Sequence, residues 1–238
     1  MSEREPIFNA PGVVIAVLGA FVAIHLVRSL LPEEAGERLI ELLAFIPTRL
    51  DGRAGEIASG QTPAATQFVT HVFVHGDITH LLINSAWFLA FATPVARRVG
   101  IARFLAFFFL CGIGGALLYL AFNSAPMVGA SGAISGLMGA FLRFLFLPLG
   151  QGDAEALAGD AQRAPLLSLG ASLSDRRVLL AVAGWTLINA LVAWAAPIVL
   201  GERSIAWEAH LGGFFTGLLT FGLFDPTPPV HQDSAPAE

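Results

Sequence analysis

Residues 104–122 read FLAFFFLCGIGGALLYLAF, a stretch without any charged side chain. A helix needs roughly 20 apolar residues to cross the hydrocarbon core of a bilayer, so this stretch is long enough to do so. The same bias extends over the whole chain, which is 55% hydrophobic and only 13% charged across 238 residues. Soluble domains carry about 25% charged residues. The sequence therefore predicts an integral membrane protein.

Five other apolar segments accompany this one. Together they predict an all-α membrane protein, a bundle of six transmembrane helices, over residues 11–31, 78–96, 104–122, 127–142, 178–200 and 209–224. The predicted organisation is an N-terminal segment 1–10, one membrane domain 11–224, and a disordered, proline-rich tail 225–238. Between the first two spans, residues 33–44 have the leucine spacing of a helix, which either lies on the membrane surface or is an ordinary amphipathic loop helix.

The distribution of charge gives an orientation. Arg97, Arg98 and Arg103 lie between the second and third spans, and more arginines flank the connection between the fourth and fifth spans. Because cytoplasmic loops are enriched in basic residues, we expect both termini in the cytoplasm of a multi-pass protein, in the bacterial inner membrane. The net charge of −5 says little about nucleic acid, but nothing in the sequence resembles a basic patch, so we expect no nucleic-acid partner.

A serine follows a chain break at the start of the fourth span, in the sequence Gly129-Ala130-Ser131-Gly132. Pro126 and Gly129 disfavour a helix through this stretch, so we expect the helix to begin near Ser131. Unpaired backbone N–H groups and the positive end of the helix dipole would then face a place where negative charge can develop. Read alone, the segment is equally compatible with a packing helix in which Ser131 bonds a backbone carbonyl.

Glycines at helical spacing mark two of the spans as packing partners. Gly132, Gly136 and Gly139 share one face of the fourth span, and Gly213 and Gly217 share the face of His210 on the sixth. Small residues let the backbones of membrane helices approach closely. We therefore expect these two spans to pack together and to bring the histidine towards the serine.

His210 lies in the sequence Ala209-His210-Leu211-Gly212-Gly213. A histidine hydrogen-bonded to a serine can accept its proton and later give that proton to a leaving amine. The alternative is a histidine satisfied by a neighbouring carbonyl. No acidic residue is well placed to orient the ring, because Glu208 points to another helix face and Asp77 lies in a loop. A Ser–His dyad is therefore expected rather than a triad.

The second span carries His80 and Asn84, which are four residues apart and share a helix face. Both side chains can donate hydrogen bonds to a developing oxyanion, although they can also join helices together. His71 and His75 have the same spacing. Two histidines are weak support for a metal, so we expect no metal site and assign this pair to structuring the loop near the site.

These motifs, in this order, resemble the rhomboid family of intramembrane serine proteases, and the resemblance covers roughly residues 71–224. It implies a six-helix bundle with Ser131 as nucleophile and His210 as base. It also implies that His80, Asn84 and the backbone N–H of Ser131 form the oxyanion hole, and that no cofactor is needed. The helix-packing glycines would be Gly129, Gly132, Gly136, Gly139, Gly213 and Gly217. The implied partners are transmembrane protein substrates, entering from the membrane lipids near spans two and five.

The chain departs from the family pattern at a few positions. Many relatives have a glycine and a glutamate where this chain has Ala92 and Ala96, and that glutamate supports the first loop. Some relatives have an aromatic side chain in place of Ser135, stacked beside the histidine. Without it, we expect His210 to be held by other packing, by small-residue contact alone.

Two other functions remain open at this point. The first is a catalytically inactive rhomboid-like protein that binds transmembrane clients. The second is a small transporter, since broken helices and buried polar residues also suit transport, but the chain has no paired halves and no buried carboxylate to couple ions.

Overall fold

The computed structural model describes residues 10–50, 65–145, 166, 168–200 and 205–226. In this part of the chain the α-helices are α1 Gly12–Leu30, α2 Glu33–Leu43, α3 Gln67–Thr70, α4 Ile78–Val99, α5 Ile101–Phe122, α6 Ser131–Leu145, α7 Leu169–Ser174, α8 Arg176–Leu200 and α9 Trp207–Thr220. Short 3-10 turns cover Pro47–Arg49, His71–Phe73 and Phe221–Leu223. The described residues contain no β-strand, only an isolated antiparallel bridge between Phe45 and Met127.

Each of the six predicted spans corresponds to one helix, namely α1, α4, α5, α6, α8 and α9. The prediction of an all-α membrane protein is therefore confirmed. By length and composition, α1, α4, α5 and α8 can cross a membrane. In contrast, α6 has only 15 residues and α9 only 14, so the count of six crossings stays a prediction.

Local sequence explains where the second and third spans begin and end. The side chain of Asp77 accepts a hydrogen bond from the backbone N–H of His80 and so caps the start of α4. Gly100 then ends α4 with φ +79°, a backbone conformation that a residue with a Cβ rarely adopts. α5 starts immediately afterwards at Ile101, and the two helices form an antiparallel pair.

The core of the bundle lies between α4, α5, α6 and α9. α9 packs most extensively on α6 and α5, and α6 also contacts α4. The fully buried aromatic side chains are Phe21, Phe45, Phe88, Phe104, Phe107, Phe108, Phe144, Phe214 and Phe221. α8 lies at the periphery and leaves a row of large apolar side chains on the surface, including Leu180, Leu187 and Trp194. In water such a row would be unfavourable, which fits a helix that faces lipid.

Hydrogen bonds link the described residues that precede α4 to other elements. Arg28, near the end of α1, donates to the backbone carbonyls of His75 and Gly76. The buried side chain of Gln67 accepts from the backbone N–H of Ile46, at 2.8 Å. These contacts join the described parts of the connection between α1 and α4 to each other.

α6 begins at Ser131, which confirms the predicted start of this helix. The first residues of the predicted span 127–142 lie ahead of it, where the backbone of Met127 pairs with Phe45. Asp225, which the sequence assigns to a disordered tail, forms a buried ion pair with Arg98 at 2.7 Å. Residues 1–9 and 227–238 lie outside the described residues, so the predictions for the N-terminal segment and for the rest of the tail are untested.

Candidate active site

The turn that precedes α6 sets the position of Ser131. Gly129 has φ +120°, and its backbone N–H donates to the carbonyl oxygen of His71 at 3.0 Å. Gly129 lies just ahead of α6, in a conformation that residues with a Cβ rarely adopt, and a side chain there would meet the ring of His80 on α4. The helix starts two residues later, so the first backbone N–H groups of α6 have no partner within the helix.

Glycines bring α9 against α6 at the depth of this turn. A Cβ on Gly213 would overlap the carbonyl oxygen of Gly132, and a Cβ on Gly217 would overlap that of Gly136. One turn further, a Cβ on Gly139 would collide with the carbonyl oxygen of Phe214. Such backbone contacts exclude any side chain between the two helices. The first turn of α9 is therefore held next to the first turn of α6.

Ser131 and His210 meet as a result of this close packing. The Nε2 atom of His210 lies 2.9 Å from the Oγ atom of Ser131, although the two residues are 79 positions apart in the chain. Both residues are of intermediate burial, neither fully enclosed nor fully exposed. At this distance the imidazole can accept the hydroxyl proton.

A third residue contacts the pair, and the sequence reasoning missed it. The Nδ1 atom of His210 lies 3.0 Å from the Oδ1 atom of Asn189 on α8. Asn189 is 2% exposed, and its Nδ2 atom donates to the carbonyl oxygen of Trp185. The expectation that small-residue contact alone holds the histidine is therefore wrong. The signal was an amide within the apolar segment 178–200, where a polar side chain is costly and points to a function.

His80 and Asn84 both lie on the first turns of α4. The ring of His80 rests on Gly129, since a Cβ on that glycine would lie 2.8 Å from the ring Nε2 atom. Asn84 is 4% exposed, and its Nδ2 atom donates to the carbonyl oxygen of His80 at 2.9 Å. α4 thus brings the ring of His80 against the segment that precedes Ser131, while the amide of Asn84 bonds within α4, one turn further along.

His71 and His75 lie in the loop that supports this turn, and both are buried. Burial lowers the pKa of His71 to about 4, although the hydrogen bond between its ring and the carbonyl oxygen of Gln67 raises this pKa in part. Burial, together with the nearby His80 and His25, lowers the pKa of His75 to about 3. Both rings are therefore neutral at physiological pH.

The remaining polar groups near the site serve other contacts. The carboxylate of Glu208 accepts a hydrogen bond from Asn123 at 2.6 Å, so it is directed away from His210 as the sequence indicates. Within the described ranges, no three His, Cys, Asp or Glu side chains come together as a metal site would require. The chemistry available here is a hydroxyl, an imidazole, an orienting amide and hydrogen-bond donors on α4.

Comparison with known proteins identifies the family. Residues 63–225 match the family model of the rhomboid domain, which covers most of the chain and includes every site residue described above. The chain belongs to the rhomboid family. Rhomboid proteins are generally intramembrane serine proteases, and the family is a helical membrane bundle like the one seen here.

Individual relatives cover shorter parts of this rhomboid. It is 37% identical over 76 residues to Rhomboid protease GluP of Bacillus subtilis, which is 32% of this chain and 15% of the relative. It is 28% identical over 160 residues to the mitochondrial Rhomboid protein 1 of Saccharomyces cerevisiae, which is 62% of this chain and 38% of the relative. Rhomboid-like protease 3 of Toxoplasma gondii is 34% identical over 89 residues, which is 35% of this chain and 34% of the relative. The chain thus spans well under half the length of these relatives.

Proposed function

We propose that this rhomboid is an intramembrane serine endopeptidase that cleaves transmembrane proteins in or near their membrane segment. The observation that supports the proposal is the distance of 2.9 Å between the Oγ atom of Ser131 and the Nε2 atom of His210. A serine hydroxyl is a weak nucleophile unless a base is in hydrogen-bond contact with it. The pair meets this requirement in a helix bundle whose described residues expose many large apolar side chains.

In the proposed reaction, the Oγ atom of Ser131 attacks the scissile carbonyl carbon while the Nε2 atom of His210 takes the hydroxyl proton. The tetrahedral intermediate then expels the amine, which receives that proton, and an acyl-enzyme remains. A water molecule attacks the ester and gives a proton to the same nitrogen. When the second intermediate collapses, the acid product leaves and the proton returns to Oγ.

The negative charge of both intermediates needs hydrogen-bond donors that are already in place. We assign this role to the backbone N–H of Ser131, at the start of α6, and to the side chains of His80 and Asn84. The assignment is supported by the contact of the His80 ring with Gly129, two residues before the nucleophile. The positive end of the α6 dipole also lies at this place.

The substrates that fit this arrangement are transmembrane helices that reach the site from the lipid. A regular helix hides its peptide bonds in its own hydrogen bonds, so a substrate has to unwind locally before Ser131 can reach a carbonyl. Small or helix-weakening residues near the cleaved bond are therefore expected. The proposed orientation, with both termini in the cytoplasm of a bacterial inner-membrane protein, depends on the arginine distribution alone and stays a prediction.

The test uses the full chain, purified in detergent, with a single-pass membrane protein that carries glycine and serine in its transmembrane segment. Ser131→Ala and His210→Ala should each abolish cleavage, and a fluorophosphonate probe should label the wild type but not Ser131→Ala. Ser135→Ala is the matched control, because Ser135 lies one turn further along α6 and donates to the carbonyl oxygen of Ser131. It should cleave and label like the wild type. Undiminished cleavage by Ser131→Ala would overturn the proposal.

The same probe separates the protease from the alternative of a client-binding protein. A protein that only binds transmembrane clients has no use for an activated hydroxyl, and Ser131 should then react no faster than an ordinary serine. Folded protein that shows neither labelling nor cleavage would therefore favour the binding function.

A further inference from the structure

The inference concerns Asn189 and rests on the proposed protease function. We infer that Asn189 is a positioning residue, which holds the imidazole of His210 in the one tautomer that can act as a base towards Ser131. No acidic side chain takes this place in the described part of the chain, and the carboxylate of Glu208 is bonded to Asn123. The tautomer of the ring depends on which atom of the asparagine amide faces it.

The backbone of α8 fixes the orientation of that amide. The Nδ2 atom of Asn189 lies 2.9 Å from the carbonyl oxygen of Trp185, one turn earlier in the same helix. A carbonyl oxygen only accepts hydrogen bonds, so the NH2 group has to be on this side. The Oδ1 atom is therefore the one that faces His210, at 3.0 Å from the ring Nδ1 atom.

The orientation of the amide in turn determines the tautomer of the ring. Oδ1 has no proton to donate, so the Nδ1 atom of His210 carries the proton and donates it. The neutral ring then has its lone pair on Nε2, the atom that lies 2.9 Å from the Oγ atom of Ser131. The opposite tautomer would present an N–H to the hydroxyl and could not take its proton. Serine proteases lose most of their activity when the corresponding ring adopts the wrong tautomer.

Burial strengthens the preference for this tautomer. Asn189 is 2% exposed, so water does not compete freely for its Oδ1 atom. If the ring rotated away, this acceptor would be left without a partner inside an apolar helix bundle, which is costly. The same amide also makes the orientation of His210 depend on α8, a peripheral helix that makes few contacts with α6 and α9.

The test compares two substitutions of Asn189, both of which remove the NH2 group that donates to Trp185 but only one of which keeps an oxygen acceptor. Asn189→Leu keeps a side chain of similar length and removes the acceptor, whereas Asn189→Asp keeps an oxygen that faces Nδ1. The matched control is Thr186→Val, because Thr186 lies on the same helix and its hydroxyl bonds within that helix, to the carbonyl oxygen of Val182. Each variant is purified as the full chain, and its thermal unfolding is compared with that of the wild type.

The readouts are kcat and KM for a transmembrane substrate and the rate at which a fluorophosphonate labels Ser131. We expect Asn189→Leu to lower kcat and the labelling rate by roughly tenfold or more, the effect of one ordering hydrogen bond, and to change KM by less than about twofold. Asn189→Asp should recover most of the loss, and Thr186→Val should behave like the wild type. A loss of folding alone would not be rescued by aspartate, since a carboxylate is harder to bury than an amide.

The possible outcomes separate this inference from the proposed function. If Asn189→Leu labels and cleaves at the wild-type rate while Ser131→Ala is inactive, the protease stands and the inference fails. If Asn189→Asp is no more active than Asn189→Leu, the acceptor is irrelevant and the inference also fails. Cleavage that persists at full rate in Ser131→Ala would remove the proposed function itself. Should Asn189→Leu not fold, Asn189→Ala replaces it in the same comparison with Asn189→Asp.

Discussion

A side chain on Gly213 would occupy the same space as the carbonyl oxygen of Gly132, so α9 and α6 meet backbone to backbone at this level. Ser131 directly precedes Gly132, and His210 lies one helical turn before Gly213. The distance between hydroxyl and imidazole is therefore set by two glycines that take no part in the reaction. Any residue that separates the backbones also separates the reacting groups.

Gly213→Ala should therefore both destabilise and inactivate the protein. The added methyl group meets a backbone atom that cannot rotate away, so we expect a cost above the ~1–3 kcal/mol of ordinary overpacking. Gly19→Ala is the control, since a Cβ on Gly19 of α1 has nothing within 4 Å. Thermal unfolding in detergent and fluorophosphonate labelling measure the two effects. Wild-type labelling by Gly213→Ala would contradict the close packing of α6 and α9.

Substitutions of His80 and Asn84 on α4 should lower the turnover rate without weakening substrate binding. His80→Ala and Asn84→Ala should each lower kcat by about 10²–10³, the effect of losing one oxyanion donor, and leave KM largely unchanged. Ser85→Ala is the matched control, because the hydroxyl of Ser85 has no hydrogen-bond partner within the described structure. Steady-state kinetics with a transmembrane substrate tests this. A rise in KM at constant kcat would instead make these residues part of the substrate-binding surface.

The buried histidines of the loop before α4 predict acid sensitivity. The folded chain holds the pKa of His71 at about 4 and that of His75 at about 3, both below the value of 6.5 for an exposed histidine. Above pH ~6.5 both histidines are neutral in the folded and in the unfolded chain. Below this pH they bind protons in the unfolded chain but stay neutral in the folded chain. Stability should therefore be complete above this pH and fall towards pH 3–4, by up to about 1.4 kcal/mol per pH unit for each histidine.

The measurement for this prediction is the unfolding midpoint as a function of pH. His75→Gln removes one of the two titrating groups and should flatten the acid side of the curve, whatever it does to the midpoint at neutral pH. Parallel curves for the wild type and His75→Gln between about pH 6.5 and 3 would show that His75 is protonated equally in both states.

Removing one partner of the ion pair between Arg98 and Asp225 should strongly lower the stability of the protein. Asp225→Ala leaves a buried guanidinium without its carboxylate, and we expect a loss of about 3–5 kcal/mol in the free energy of unfolding. Arg177→Ala is the comparison, because Arg177 and Asp175 form a pair of the same length, 2.7 Å, on the surface. It should leave the unfolding midpoint close to that of the wild type. Equal effects of the two substitutions would mean that burial of the first pair is unimportant.

Several parts of the site follow from local sequence. The helix of Ser131 begins where Gly129 and the preceding proline prevent an earlier start, and the spacing of His80 and Asn84 places both on one face of α4. The glycines at positions 132, 136, 213 and 217 indicate which helices pack closely. All of these are signals within one turn or one helix, where the period of 3.6 residues determines which side chains are neighbours.

Other parts depend on contacts between distant segments. Asn189 is one polar residue in an apolar span, and nothing in its own helix indicates that its amide oxygen faces His210. The pairing of Asp225 with Arg98 likewise joins residues that are 127 positions apart, so composition alone assigned Asp225 to a tail. The sequence by itself determined the helices, their apolar character and the residue types able to do the chemistry, because hydrophobic periodicity and chain breaks are local. Only the tertiary structure decided which polar atoms meet, because those contacts arise when several helices pack and each buried polar group has to find a partner.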